Sequence, residues 1–195
     1  MTKNEWIFYI KNIVGASEKT ARYHPAQIEL VLERAYNQIL YDYSFDETED
    51  MNYFTKEYTA VAVSLDATTN RRYSTLPAKI VQMPRNRMSV RHINTNQGTD
   101  LQMFPMTERQ WELVGSSDAD TYNTRIGYMV RYPKIWYYNM PAYVATVRMV
   151  LVIPFSQYAS TDEVMIPAGR EQDFERMALE MSGYIQPVDL LNKNK

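Results

Sequence analysis

The sequence has no cysteine, two histidines and six glycines among 195 residues. Without cysteine there are no disulfides, no thiol nucleophile and no thiolate-ligated metal centre, which suits a reducing compartment or a particle assembled inside one. The histidines, His24 and His92, lie far apart in different expected elements, with no serine and aspartate arranged around them as a triad or nucleophile elbow requires. None of the glycines has the spacing of a phosphate-cradling loop, so no nucleotide fingerprint is present. Long apolar runs are also missing. The opening stretch is interrupted by Glu5, Lys11 and Asn12, and nothing approaches the ~18 consecutive apolar residues of a membrane span. The expectation is a soluble, unprocessed protein that inserts in no membrane. Nor does one sign of charge dominate. With 21 basic and 23 acidic residues the net charge is −2, which is not the electropositive footprint of a dedicated nucleic-acid binder.

What the chain does have is 16 tyrosines and 12 methionines, side chains that supply large, adaptable contact area and are enriched at protein interfaces. Its length fits one medium domain able to bury roughly 70% of the surface exposed by the unfolded chain. Residues 4–14 read as a short helix with Trp6, Ile7, Ile10 and Val14 on one side, ending near Gly15. After a polar stretch, Pro25 opens the clearest helix, PAQIELVLERAYNQILYDY, with Ile28, Val31, Leu32, Ala35, Ile39 and Leu40 facing the core. Glu29, Glu33 and Arg34 read as its solvated flank.

An acidic connector follows, and periodicity then changes from helical to alternating. YTAVAVSL, KIVQM, MSVRHI, GYMVRY and ATVRMVLVIP predict five or six strands. Turn residues between them favour antiparallel hairpins. One insertion breaks the series: residues 107–114 read as a short helix capped by Thr107, and residues 115–123 as a polar loop. A last helix is predicted from Phe174, Met177, Ala178 and Met181 at i, i+3, i+4 and i+7, with acids early and Gly183 and Pro187 as stops. The fold class is therefore α+β. An N-terminal helical hairpin and a C-terminal helix pack together, with a mainly antiparallel β domain inserted between them. The divisions are residues 1–50, 51–167 and 168–195, the last forming one unit with the first. No internal repeat or low-complexity segment is visible.

The search for chemistry finds little. Glu47, Glu49 and Asp50, with Asp46, sit in a hydrophilic connector that lacks the ligand spacing and central glycine of a calcium loop. Asp118 and Asp120 lie in another polar loop, where solvation keeps a carboxylate pair ordinary. For a hydrolase, Glu108 and Glu112 flanking Trp111 are the least unsuitable carboxylate pair. No cofactor or metal is expected. Arg71, Arg72, Arg85, Arg87 and Arg91 fall on turns or strand ends of the β portion, where arginine forks suit phosphates or the acids of a neighbouring subunit. The acidic connector is their ready complement, which makes Arg85, Arg87 and Arg91 with Glu47, Glu49 and Asp50 candidate interface residues. Tyr128, Tyr132, Trp136, Tyr137, Tyr138 and Tyr143 crowd one region, consistent with core packing, a protein interface through Tyr137 and Tyr138, or a carbohydrate site.

The ending of the chain, ATVRMVLVIPFSQYASTDEVMIPAGREQDFERMALEMSGYI, resembles the closing segment of tailed-bacteriophage head-to-tail connector proteins, the adaptor or tail-tube-gatekeeper type of neck ring. There a final strand leads through a proline into an acidic loop, an Ile-Pro step and a helix that packs back on the first two. Residues 147–154, Thr161-Asp162-Glu163, Ile166-Pro167 and residues 174–184 follow that order. The tyrosine-rich middle and the lack of long charged helices depart from the short-tailed type and leave open which ring of the neck is implied; the neck rings of crAss-like phages are one home that fits.

The resemblance implies a structural, non-enzymatic subunit of the virion, assembled in the host cytoplasm into a homo-oligomeric ring, commonly twelvefold. Such a ring stacks on the portal protein, receives the next neck or tail protein, and extends a channel through which genomic DNA passes without sequence-specific contact. Leu190 and Leu191 in the tail are then candidates for portal docking. The alternative is a soluble β-rich module that binds protein or carbohydrate.

Overall fold

The first two helices each carry an apolar stripe that needs a cover, and the last helix supplies it. The computed structural model describes residues 1–15, 24–45, 51–81, 89–95, 101, 103–114, 125–167 and 169–183. The chain divides into two units. One comprises residues 1–54, 83–87 and 153–195, the other residues 55–82 and 88–152. The α+β arrangement is the one the sequence predicts, with helices at both ends and antiparallel sheets between.

In the helical unit, α1 (Lys3–Gly15) starts from a capping box. The Thr2 N–H donates to the Glu5 carboxylate at 2.8 Å, and the Glu5 N–H donates to Thr2 Oγ1 at 3.3 Å. Trp6, Ile10 and Val14 are buried along one face. At the start of α2 (Pro25–Phe45) His24 does capping work: its carbonyl accepts from the Gln27 N–H at 2.8 Å, and its own N–H donates to the Gln27 side chain at 3.0 Å. Ile28, Leu32, Ala35, Ile39 and Leu40 are buried as expected, joined by Tyr36 and Tyr43, while Val31 is only half-buried.

The short 3-10 turns η1 (Met51–Phe54) and η2 (Phe155–Gln157) bring Phe54 and Phe155 to this core. Tyr36 is its centre, with ring centroids 6.1 Å from Phe54, 6.1 Å from Phe155, 6.1 Å from Tyr158 and 6.3 Å from Phe174. Trp6 meets Phe174 edge-on at 4.8 Å. Because residues 153–167 are bound up in this core, the β region ends at residue 152 rather than at 167.

The closing helix, the fourth α-helix in chain order (Glu171–Met181), packs on α1 and α2. Its buried face runs through Phe174, Ala178, Leu179 and Ser182, whereas Met181 is 42% exposed. The predicted stripe through Met181 is thus turned around the helix axis. Ser182 ends the helix with its hydroxyl donating to the Leu179 carbonyl at 2.7 Å, and Gly183 follows at φ +76°.

The flank of α2 is also not simply solvated. Glu29 pairs with Lys3 Nζ at 2.6 Å, and Lys3 is buried, donating also to the Ser156 carbonyl at 3.3 Å. Glu33 accepts the Ser156 N–H. The apolar stripe reads the core but not the ion pairs at its margin, which depend on what the later chain lays beside α2.

Among the described residues the second unit holds eight strands, β1 (Thr55–Ala62), β2 (Ser64–Asp66), β3 (Arg71–Thr75), β4 (Val90–Thr95), β5 (Phe104–Pro105), β6 (Gly127–Arg131), β7 (Lys134–Tyr138) and β8 (Thr146–Val152), with α3 (Glu108–Val114) between β5 and β6. They form a three-stranded sheet β1-β8-β4 and a five-stranded sheet β2-β3-β7-β6-β5, antiparallel throughout except where β5 meets β6. In β8 the alternation buries Val147, Met149 and Leu151. β1 carries a bulge between Tyr58 and Val61, with Ala60 in the left-handed region at φ +58°.

The run at residues 79–81 is not a strand. Val81 gives one hydrogen bond to the end of β8, the Val152 carbonyl, while the N–H of Val152 is taken by the Ser89 carbonyl just ahead of β4. Conversely RRYST, whose arginines read as turn or strand-end residues, and KIWYY, read as part of an aromatic cluster, are β3 and β7.

Truncating Phe174 to alanine should cost about 3–5 kcal/mol of stability, whereas Met181→Ala should stay within about 0.5 kcal/mol. Urea unfolding of the two variants checks both.

Candidate functional site

Strand β7 alternates, and its two faces carry different chemistry. Register places Tyr73, Trp136 and Met129 in one row across β3, β7 and β6, and Arg72, Tyr137 and Tyr128 in the next row on the opposite face. Tyr128 and Tyr137 are buried. Burial pushes the Tyr137 phenol well above its ordinary range and pushes Tyr128 up to about 12, the latter opposed by the positive charge of Arg91. Tyr137 is therefore withdrawn into the β unit and not presented to a neighbouring subunit, while half-buried Tyr138 belongs to the other face.

That other face is partly covered by α3. Thr107 and Gln110 cap the helix reciprocally, the Gln110 N–H donating to Thr107 Oγ1 at 3.2 Å and the Thr107 N–H to Gln110 Oε1 at 2.8 Å. Trp111 is thereby set against Met106 and Met129, with Phe104, Trp136 and Tyr138 packed around them. A Cβ at Gly127 would run into the Met106 side chain, which would have to move aside.

Cations sit on the exposed aromatic surfaces. The Arg71 guanidinium lies 5.0 Å from the Trp111 ring, and Lys134 Nζ lies 4.0 Å from the Tyr73 ring and 5.4 Å from that of Trp136. A cleft of about 540 Å³ opens here, lined by Leu65, Thr69, Arg71, Arg72, Trp111 and Tyr138 among others. Asn70 and Asn139, at its margin, both adopt φ of +53°, a conformation asparagine tolerates in turns. The indole N–H of Trp111 is buried without a hydrogen-bond partner among the described residues. A second, more apolar cavity of about 320 Å³ is lined by Ile80, Val90, Met106, Tyr128 and Val130, with Glu108 and Arg131 at its edge.

The other expected site residues fall as follows. Arg91 is half-buried on β4. Arg85, Arg87, Glu47, Glu49, Asp50, Leu190 and Leu191 lie outside the described residues. Glu108 is exposed and paired to Arg131 at 2.9 Å, and Glu112 is exposed. Two carboxylates left in water, one already neutralised, are not the desolvated acid and base that hydrolysis needs. Tyr132 and Tyr143 are exposed, and His92 is an exposed strand residue. Among the described residues no group of three or more His, Asp or Glu converges where a metal ion would sit. No helix of the described residues is long and apolar enough to cross a membrane.

Sequence reasoning names Arg71, Arg72, Trp111, Trp136 and Tyr138 but does not join them. The signal that does so is the pairing of RRYST with KIWYY, which brings one arginine of the pair to Trp136's face and the other to Tyr137's. No protein-family model matches the chain, and no curated protein matches its sequence.

The buried phenols set a pH dependence. Their folded pKa values lie above the unfolded value, so the folded state holds protons that the unfolded state has released, and the associated stability is intact below about pH 10 and falls as pH rises through about 12. Absorbance of tyrosinate should show exposed phenols ionising first, with Tyr36, Tyr128 and Tyr137 ionising only as the chain unfolds. Early, reversible ionisation of all 16 tyrosines would contradict this burial.

Proposed function

We propose that the chain is a structural, ring-forming subunit of a tailed-phage neck, joining the portal to the tail and extending the DNA channel. The observation that carries this reading is the packing of the closing helix on α1 and α2 after the Ile166-Pro167 step, with the β strands as an excursion between the first and last helices. That is the arrangement implied by resemblance to the connector proteins. It is supported by large apolar side chains left in solvent on the helices, Phe8 at 67%, Leu30 at 52% and Tyr41 at 51% exposure, which suit contact with further copies or with the portal. On this reading the protein is part of the virion, assembled in the host cytoplasm, and DNA passes it without being read.

A second reading, a β-rich binding module for protein or carbohydrate, is favoured by the cleft beside Trp111, where an indole, two arginines and side-chain amides converge. Native mass spectrometry of the purified chain, alone and mixed with portal protein over a range of salt, separates the two. A closed oligomer, or binding to the portal at one copy per portal subunit, is the expected result. A strict monomer indifferent to the portal that binds a saccharide would replace the first reading with the second.

A further inference from the structure

The cleft beside Trp111 has a chemistry of its own. Arg71 follows the β2–β3 turn and Arg72 is its neighbour, so the two guanidinium groups leave β3 on opposite sides. Both nevertheless line the same cleft. The Arg71 guanidinium lies over the Trp111 ring, 5.0 Å from its centre. Neither arginine is ion-paired to a carboxylate among the described residues. Asp66, the strand partner of Arg71, is otherwise engaged: Oδ1 accepts the N–H groups of Thr68 at 2.8 Å and Thr69 at 3.0 Å, closing the turn.

Two arginine forks in one cleft, neither paired to a carboxylate among the described residues, select a group that accepts bidentate hydrogen bonds, a carboxylate or a phosphate. Three observations favour carboxylates on a peptide. The cleft also offers Leu65 and Tyr138, an apolar lining suited to a peptide's side chains. The chain as a whole is acidic at −2, which opposes phosphate-rich polymers. The same sequence contains four carboxylates within residues 46–50, a complement present in equal number to the cleft in any assembly of identical copies.

We propose that the Arg71–Arg72–Trp111 cleft binds an acidic peptide segment, and that its occupant is the run at residues 46–50 of a second copy of this chain. The preference for carboxylates stands by itself; the identity of the donor rests on the ring reading.

The test is a charge-swap pair in the full chain. Arg71→Glu with Arg72→Glu forms one variant; Glu47→Lys, Glu49→Lys and Asp50→Lys form the other. Oligomeric state is read by native mass spectrometry and light scattering. If the wild type assembles, each variant should stay monomeric at concentrations ~100-fold above the wild-type threshold. An equimolar mixture should assemble again, because each swapped cleft then meets a swapped segment. Recovery on mixing also shows that both variants are folded. Assembly of either variant alone, or failure of the mixture, overturns the proposal while leaving the ring reading in place.

If the wild type is monomeric and indifferent to the portal the ring reading fails, and for any monomeric wild type a labelled peptide SFDETEDMN decides the cleft. Binding weakened about tenfold or more by Arg71→Gln with Arg72→Gln, and lost for the peptide with amides in place of the acids, upholds the carboxylate assignment. Absence of binding, or displacement of the peptide by oligothymidylate at lower concentration, overturns it.

Discussion

The buried hydroxyl of Tyr36 constrains the helical unit more than any other group. A phenol placed in an aromatic core carries a polar atom that costs free energy unless it finds a partner there. Tyr36 finds two, the hydroxyl of Tyr158 at 3.2 Å and the carbonyl of Met165 at 3.3 Å, both contributed by the segment that returns from the β strands. The ring therefore cannot bury itself until residues 153–167 are laid beside α2. The N-terminal residues are tied to the same segment, the Lys3 N–H donating to the Asp162 carbonyl at 3.0 Å and the Val164 N–H to the Met1 carbonyl at 3.1 Å. Beginning and end of the chain are thus made interdependent, and the strands between them form an insertion in the physical sense. Burial pushes the Tyr36 phenol far above its ordinary range, so the hydroxyl remains a donor wherever the chain is folded.

In the β unit the equivalent constraint is the period of two. Strand β7 must place Ile135 and Tyr137 in the interior, which leaves Lys134, Trp136 and Tyr138 on the opposite face with no choice of side. Once Trp136 and Tyr138 are there, exposed aromatic area has to be covered, and α3 with Trp111 covers part of it. The uncovered part is met by cations lying over the rings. The cleft is what remains beside the helix-covered part, where Arg71 and Arg72 converge from opposite sides of β3.

How much of this was legible depends on the range of the interaction that decides it. The helices were readable because their caps and stripes are local: Thr2 with Glu5, His24 and Pro25, Thr107 with Gln110 each announce an N-terminus within four residues. Strands β4, β6 and β8 were readable from alternation. RRYST was not, because two charges and a turn-like context hide a strand whose partner, KIWYY, lies sixty residues away in the chain. KIVQM reads as a strand by composition, yet the place beside β8 is already taken by β4. Of the candidate site, the residues were visible and their convergence was not: Trp111 reached the cleft by way of α3 packing, and Tyr137 was removed from the surface by a register that no local pattern encodes.

The distribution of positive charge follows the same logic. Arg148 is held bidentately by Glu57 at 2.7 Å across β1 and β8, Arg131 by Glu108, and Arg170 and Arg176 by Asp173. Exposed pairs of this kind contribute on the order of 0–1 kcal/mol each, so their main effect is to quiet the field around the surface they occupy. Arg71 and Lys134 instead lie over aromatic rings, and Lys134 also helps to lower the pKa of the Asp66 carboxyl, after the backbone N–H groups of Thr69 and Thr68. A folded chain with 23 acids had ample means to pair them. Among the described residues Arg71 and Arg72 at the cleft carry no carboxylate partner, which sets them apart from the paired Arg131 and Arg148 of the same unit.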